Sequence, residues 1–151
     1  MWNCPAQPDA VAYIRGGDKA PCLTGEVQFY QKNGSVLVVA HVSGLPQSSE
    51  TGFFAFHIHE GRSCSGESFS DTGGHYNPAK APHPNHAGDL PPLMLCHGGA
   101  YLAVRTDRFS VRDILGRTVV IHSGPDDFRS QPTGNAGNKI ACGVIRPTSI
   151  C

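Results

Sequence analysis

Apolar residues in this chain come in short runs cut by Gly, Pro, Ser or Asn, and no stretch sustains a 3.6-residue period. Residues 23–32 and 35–43 are rich in Val, Phe, Tyr and Leu. They are joined by Asn33-Gly34, the dipeptide that supplies positive φ at both centres of a type I′ hairpin turn. Further strand-like runs cover residues 10–14, 53–60, 100–106, 117–122 and 142–146, and only residues 110–115 suit a turn of helix. Seven or eight short strands with turn signals between them predict an all-β fold, a sandwich or Greek-key barrel. No repeat or interdomain linker interrupts the pattern, so residues 1–151 read as one domain, a usual size for a chain that folds unaided. Two long connections, residues 61–92 and 123–139, are unusual in a compact domain and are expected to carry function.

Charge narrows the partners. Lys plus Arg (12) balance Asp plus Glu (12), and 16% of residues are charged, which leaves no basic face for nucleic acid and no acidic tail. The longest apolar run, Val36 to Ala40, is too short to span a bilayer, and the start Met1-Trp2-Asn3-Cys4-Pro5 has the features of neither a signal peptide nor an anchor. A cytoplasmic location is the expectation. Six cysteines suit an oxidising compartment instead, so a secreted or periplasmic protein with a trimmed signal is the alternative.

The eight histidines carry the chemistry. His57-Ile58-His59 sits within a strand, where side chains two apart project from one face and can meet one ion. Alone, such a pair is equally two half-exposed strand histidines. It is followed by His75, His83, His86 and Asp89 at spacings of 8, 3 and 3, in a loop stiffened by Pro78, Pro82 and Pro84. Three imidazoles and a carboxylate form a closed tetrahedral zinc set without an open position for water. His122 ends the run 117–122, while His41 and His97 have no ligand spacing to any other candidate.

Five blocks, Phe56-His57-Ile58-His59-Glu60, Gly74-His75-Tyr76-Asn77-Pro78, His86-Ala87-Gly88-Asp89-Leu90, Gly116 to His122 and Gly134-Asn135-Ala136-Gly137 with Ala141 to Ile145, resemble the copper/zinc superoxide dismutase family. They run in family order across residues 23–146. The resemblance implies an eight-stranded Greek-key β-barrel of immunoglobulin-like sandwich type with two long functional loops. It implies an enzyme that converts superoxide to O2 and H2O2 by one-electron cycling of copper, bridged to a structural zinc through His75. Copper ligands would be His57, His59, His75 and His122, and zinc ligands His75, His83, His86 and Asp89. Asp126 matches an aspartate that links a copper-ligand histidine to a zinc-ligand one, here His57 and His83. Cys64 and Cys142 match the family's intrasubunit disulfide, and a homodimer is among the family's assemblies.

Thr133 and Lys139 fall where the family has a channel threonine and an anion-guiding arginine. A lysine keeps the positive charge but delivers it as a flexible, hydrated point instead of a planar fork, so attraction is expected to persist and orientation to suffer. Cys4, Cys22, Cys96 and Cys151 then allow three pairings, of which Cys4 with Cys22 is the nearest in sequence, or remain free thiols. Two other functions compete. A non-catalytic copper- or zinc-binding domain of the same fold would be marked by a missing copper ligand, and none is missing. A cupin-like enzyme would need a glutamate a few residues beyond the His-x-His pair, whereas Glu60 follows His59 directly.

Overall fold

The computed structural model describes residues 7–148. Eight strands build one antiparallel sheet: β1 (Ala10–Gly16), β2 (Thr24–Lys32), β3 (Ser35–Ser43), β4 (Phe53–His59), β5 (Asp89–Met94), β6 (Gly99–Thr106), β7 (Thr118–His122) and β8 (Lys139–Pro147). Their order is β5-β4-β7-β8-β1-β2-β3-β6. The two edge strands, β5 and β6, follow one another in the chain and touch, so the sheet curls into a nearly closed barrel. At the tip of the β2–β3 hairpin, Asn33 and Gly34 both take positive φ (49° and 75°) between the paired residues Lys32 and Ser35, as the dipeptide predicts. Among the described residues the one α-helical turn, α1 (Val111–Ile114), starts at Ser110, whose hydroxyl accepts the Asp113 N–H while the Asp113 carboxylate accepts the Ser110 N–H.

Two strands depart from the sequence pattern, and both matter to the site. β5 contains Pro91 and Pro92, which conceal it in the sequence. Its edge position lets it dispense with the N–H groups that proline lacks. The first long connection is therefore residues 60–88, and Asp89 begins a strand, in register with His57 of β4. β8 begins three residues earlier than its apolar run, at Lys139, in register with His122 of β7.

The barrel is filled by alternate residues of its strands, among them Ile14, Val27, Phe29, Val38, Phe54, Phe56, Ile58, Val119, Ile121 and Ile145. On β4 and β7 the alternation of buried and exposed positions disappears. Every residue from Phe54 to His59 and from Thr118 to His122 is buried, because the two long connections cover the outer face of these two strands. Cys64 of the first connection is disulfide-bonded to Cys142 of β8, which ties that cover to the barrel. Among the described residues no helix is long and apolar enough to cross a membrane.

Candidate metal centre

The alternation of β4 turns Phe56 and Ile58 into the core and leaves His57 and His59 on the outer face, where 0% and 1% of their surfaces are exposed. His122 lies on the same face of the adjacent β7, and an isolated bridge between His59 and His75 brings in the first connection. His57, His59, His75 and His122 thus converge, with one ring nitrogen from each within 4.8 Å of all the others. His75, His83, His86 and Asp89 form a second group of the same kind and share His75 with the first.

Hydrogen bonds assign the tautomers. His57 Nε2–H donates to Asp126 Oδ2 at 2.8 Å, and His59 Nδ1–H donates to the Gly73 carbonyl at 2.9 Å. His122 Nδ1 lies 3.5 Å from the Gly137 carbonyl. The lone pairs left over, on His57 Nδ1, His59 Nε2 and His122 Nε2, face inward. His59 Nε2 and His122 Nε2 stand 3.3 Å apart as two acceptors with no proton to share, and His57 Nδ1 is buried without any partner. In the second group His75 Nδ1 lies 2.8 Å from Asp89 Oδ1 and 3.2 Å from His86 Nδ1, while His75 Nε2 is buried and unpartnered. His83 Nδ1 sits 3.0 Å from Asp89 Oδ2 but outside hydrogen-bond alignment, so it too points a lone pair at the group.

Buried, unpaired acceptors are costly unless a cation joins them. Tetrahedral ligands at zinc distances stand about 3.3 Å from one another, and the separations of 2.8 to 3.2 Å in the second group fit that spacing. Four imidazoles suit copper, and three with a carboxylate suit zinc.

Asp126 connects the groups. Its Oδ2 takes the His57 proton and its Oδ1 takes His83 Nε2–H and the Phe128 N–H, each at 2.8 Å. This junction is so tight that Gly134 must be glycine. A Cβ there would sit 2.0 Å from Asp126 Oδ1 and 2.6 Å from His83 Nε2, and its φ is +69°. Burial alone would raise the Asp126 carboxyl, but the hydrogen bonds from His57 and His83 hold it well below the carboxylate range. Asp89 behaves alike: burial opposes ionisation, and the His75 hydrogen bond with the neighbouring imidazoles outweighs it. Burial lowers the His57 and His86 imidazoles, takes His59 well below its ordinary value and pushes His122 down to about 3. These rings are neutral at neutral pH, with lone pairs free to ligate.

Other contacts have no signal in the sequence. The Gln131 side chain mimics a peptide, accepting the His83 N–H and donating to the His83 carbonyl, both at 2.8 Å. Arg108 donates to the carbonyls of Pro84 and His86 at 2.9 and 3.2 Å, bracing the loop that carries three of the second group's ligands. Lys139, half-buried, is not a swinging charge. Its Nζ donates to Thr72 Oγ1 at 2.7 Å and to the Gly73 carbonyl at 2.9 Å, and burial lowers its pKa. Thr133 lies half-buried beside Gly134.

The remaining histidines and cysteines lie apart. His41 packs edge-on against Tyr101 with ring centres 4.7 Å apart, and His97 is exposed on the β5–β6 turn. Cys22 and Cys96 are exposed, and neither is bonded to another described cysteine; Cys4 and Cys151 lie outside the described residues, and so does the pairing of Cys4 with Cys22.

Comparison with known proteins adds an independent line. A family model described as copper/zinc superoxide dismutase matches residues 23–145. Superoxide dismutase (Cu-Zn) 2 of Aquifex aeolicus is 37% identical over 139 residues, covering 82% of this chain and 80% of its own. Extracellular superoxide dismutase (Cu-Zn) of Rattus norvegicus is 34% identical over 153 residues, covering 94% of this chain and 61% of its own. Among solved structures, a double mutant of a SOD-like protein from Bacillus subtilis superposes with a TM-score of 0.77 at 27% identity, covering 89% of this chain and 95% of that one.

Proposed function

Since the chain belongs to the copper/zinc superoxide dismutase family, we propose that its two joined histidine groups carry out on this chain the conversion of two superoxide ions and two protons to O2 and H2O2. Copper and zinc are its cofactors. We assign copper to His57, His59, His75 and His122, and zinc to His75, His83, His86 and Asp89. When bound, copper supplies a one-electron couple and zinc a fixed positive charge.

The observation that carries the assignment is the division of His75 between the groups. Its Nδ1 is engaged with Asp89 and His86, and its buried Nε2 has no protein partner. Nε2 is therefore the atom at which His75 can take up a proton and release it to the product, while Nδ1 keeps the ring in place. Asp126 holds the protons of His57 and His83 on Nε2 and so keeps both Nδ1 atoms available. Lys139, in register with His122, supplies the positive charge that draws the superoxide anion.

The test is metal analysis of the purified protein, coupled to a superoxide-disproportionation assay before and after copper reconstitution. Two metals per chain and copper-dependent activity are expected. Two metals without that activity would support the non-catalytic copper- or zinc-binding domain instead. A homodimer and a cytoplasmic location are proposals of the same kind, checked by sedimentation and by cell fractionation. A monomer, or recovery from the periplasm or medium, would replace them.

A further inference from the structure

We propose that Thr72 is a positioning residue for Lys139, holding its ammonium as a fixed donor toward the incoming anion, an inference that rests on the reading of Lys139 as the anion-receiving cation. Thr72 is fully buried, and its hydroxyl donates to the Phe69 carbonyl at 2.8 Å. With its one proton committed there, the hydroxyl oxygen can only accept from Lys139 Nζ, at 2.7 Å. The second anchor is the Gly73 carbonyl, at 2.9 Å from Nζ, and the same carbonyl accepts His59 Nδ1–H. An ammonium has three donors, so two are bound to the loop and one remains for the substrate. The ammonium and the His59 ring are oriented by one shared oxygen.

The segment that carries Thr72 is built to stay in place. Ser68 and Phe69 both adopt left-handed backbone angles, φ 52° and 60°, which side chains other than glycine rarely take unless their surroundings over-determine them. The surroundings are present here. The Phe69 ring lies over Gly17, where a Cβ would stand 2.9 Å from Cε2 and Cζ, and the Gly17 N–H donates to the carbonyl of Ile140, next to Lys139. On the other side Cys64 is bonded to Cys142 of β8. The loop is thus tied twice to the strand that bears the lysine, so the anchor and the anchored group move as one body. This is how a lysine recovers part of the orientation that a planar guanidinium would bring.

The experiment uses the copper- and zinc-loaded protein and azide, a small anion, with its dissociation constant read from the visible absorption of the copper. Lys139→Met is expected to weaken azide binding about 10-fold or more, as for loss of a charge-assisted hydrogen bond. Thr72→Val, which keeps the shape and removes the hydroxyl, is expected to weaken it about 3- to 10-fold, and Thr72→Ser to stay within about twofold. In the Lys139→Met background, Thr72→Val is expected to add nothing. If Thr72→Val fails to take up both metals, Thr72→Ala is read in the same way.

Wild-type affinity in Thr72→Val, with Lys139→Met impaired, would overturn the positioning role and leave the reading of Lys139 intact. An equal loss from Thr72→Val with and without Lys139 would reduce Thr72 to an ordinary turn residue. Unchanged affinity in Lys139→Met would overturn both.

Discussion

Replacing Gly134 with alanine tests the junction between the two metal groups at its tightest point. The added Cβ would stand 2.0 Å from Asp126 Oδ1 and 2.6 Å from His83 Nε2, distances at which something must move. Asp126 is held by three donors, from His57, His83 and Phe128, so the His83 bond, which the methyl group intrudes on directly, is the one expected to break. Two terms add. Alanine at φ +69° costs about 1–2 kcal/mol, and loss of a buried hydrogen bond to a charged group costs about 1.5–3 kcal/mol. The control is Gly34→Ala, where φ is +75° and no atom lies within 4 Å of the added methyl, so only the first term applies. Thermal unfolding of the metal-free proteins should show Gly134→Ala some 5–15 °C below wild type, with Gly34→Ala recovering more than half of the difference, at about 2–4 °C per kcal/mol for a domain of this size. Because His83 loses the partner that keeps its proton on Nε2, zinc affinity measured by chelator competition should fall about 10- to 100-fold, while Gly34→Ala leaves it unchanged. Equal melting temperatures for the two variants, or zinc affinity within twofold of wild type in Gly134→Ala, would refute the argument.

Gln131→Ala removes both hydrogen bonds to the His83 backbone and should destabilise the protein by about 1–2 kcal/mol, with faster zinc release in a chelator chase; an unchanged release rate would mean that the clamp is redundant. Acid should destabilise the metal-free protein through its buried imidazoles. The unfolded chain takes up their protons near the ordinary pKa while the folded chain resists, so stability is full above about pH 6.5 and falls below it. For His122 the fall continues to about 3, at up to ~1.4 kcal/mol per pH unit. Urea unfolding between pH 7.5 and 4 measures that slope, and a flat profile would contradict the neutral, buried state of these rings. Cys64→Ser with Cys142→Ser opens a bridge between residues 78 apart and should cost on the order of 4 kcal/mol; a loss below about 1 kcal/mol would show that the reduced chain keeps that loop closed by other means.

Strand periodicity, the Asn33-Gly34 turn and the histidine spacings are local signals, set by alternation along a strand and by positive φ at a turn. They are legible without neighbours, and with the quoted blocks they sufficed for the fold class, the family and the candidate ligands. β5 escaped because its prolines contradict a central strand, and only its place at the sheet edge makes them harmless. The burial of His57 and His59 could not be read either, since a strand pattern does not say that two connections will fold over its outer face. The same holds for Lys139. Its residue type suggested a loose charge, and what anchors it is a hydroxyl and a carbonyl 67 and 66 residues away, brought near by the disulfide-tied loop and by the register of β8 on β7. Residue types and spacing therefore name which chemistry the chain can perform. The closed sheet decides which lone pairs face one another, which are left without protons, and where the Lys139 ammonium is held, because those depend on distances between segments that the chain order leaves far apart.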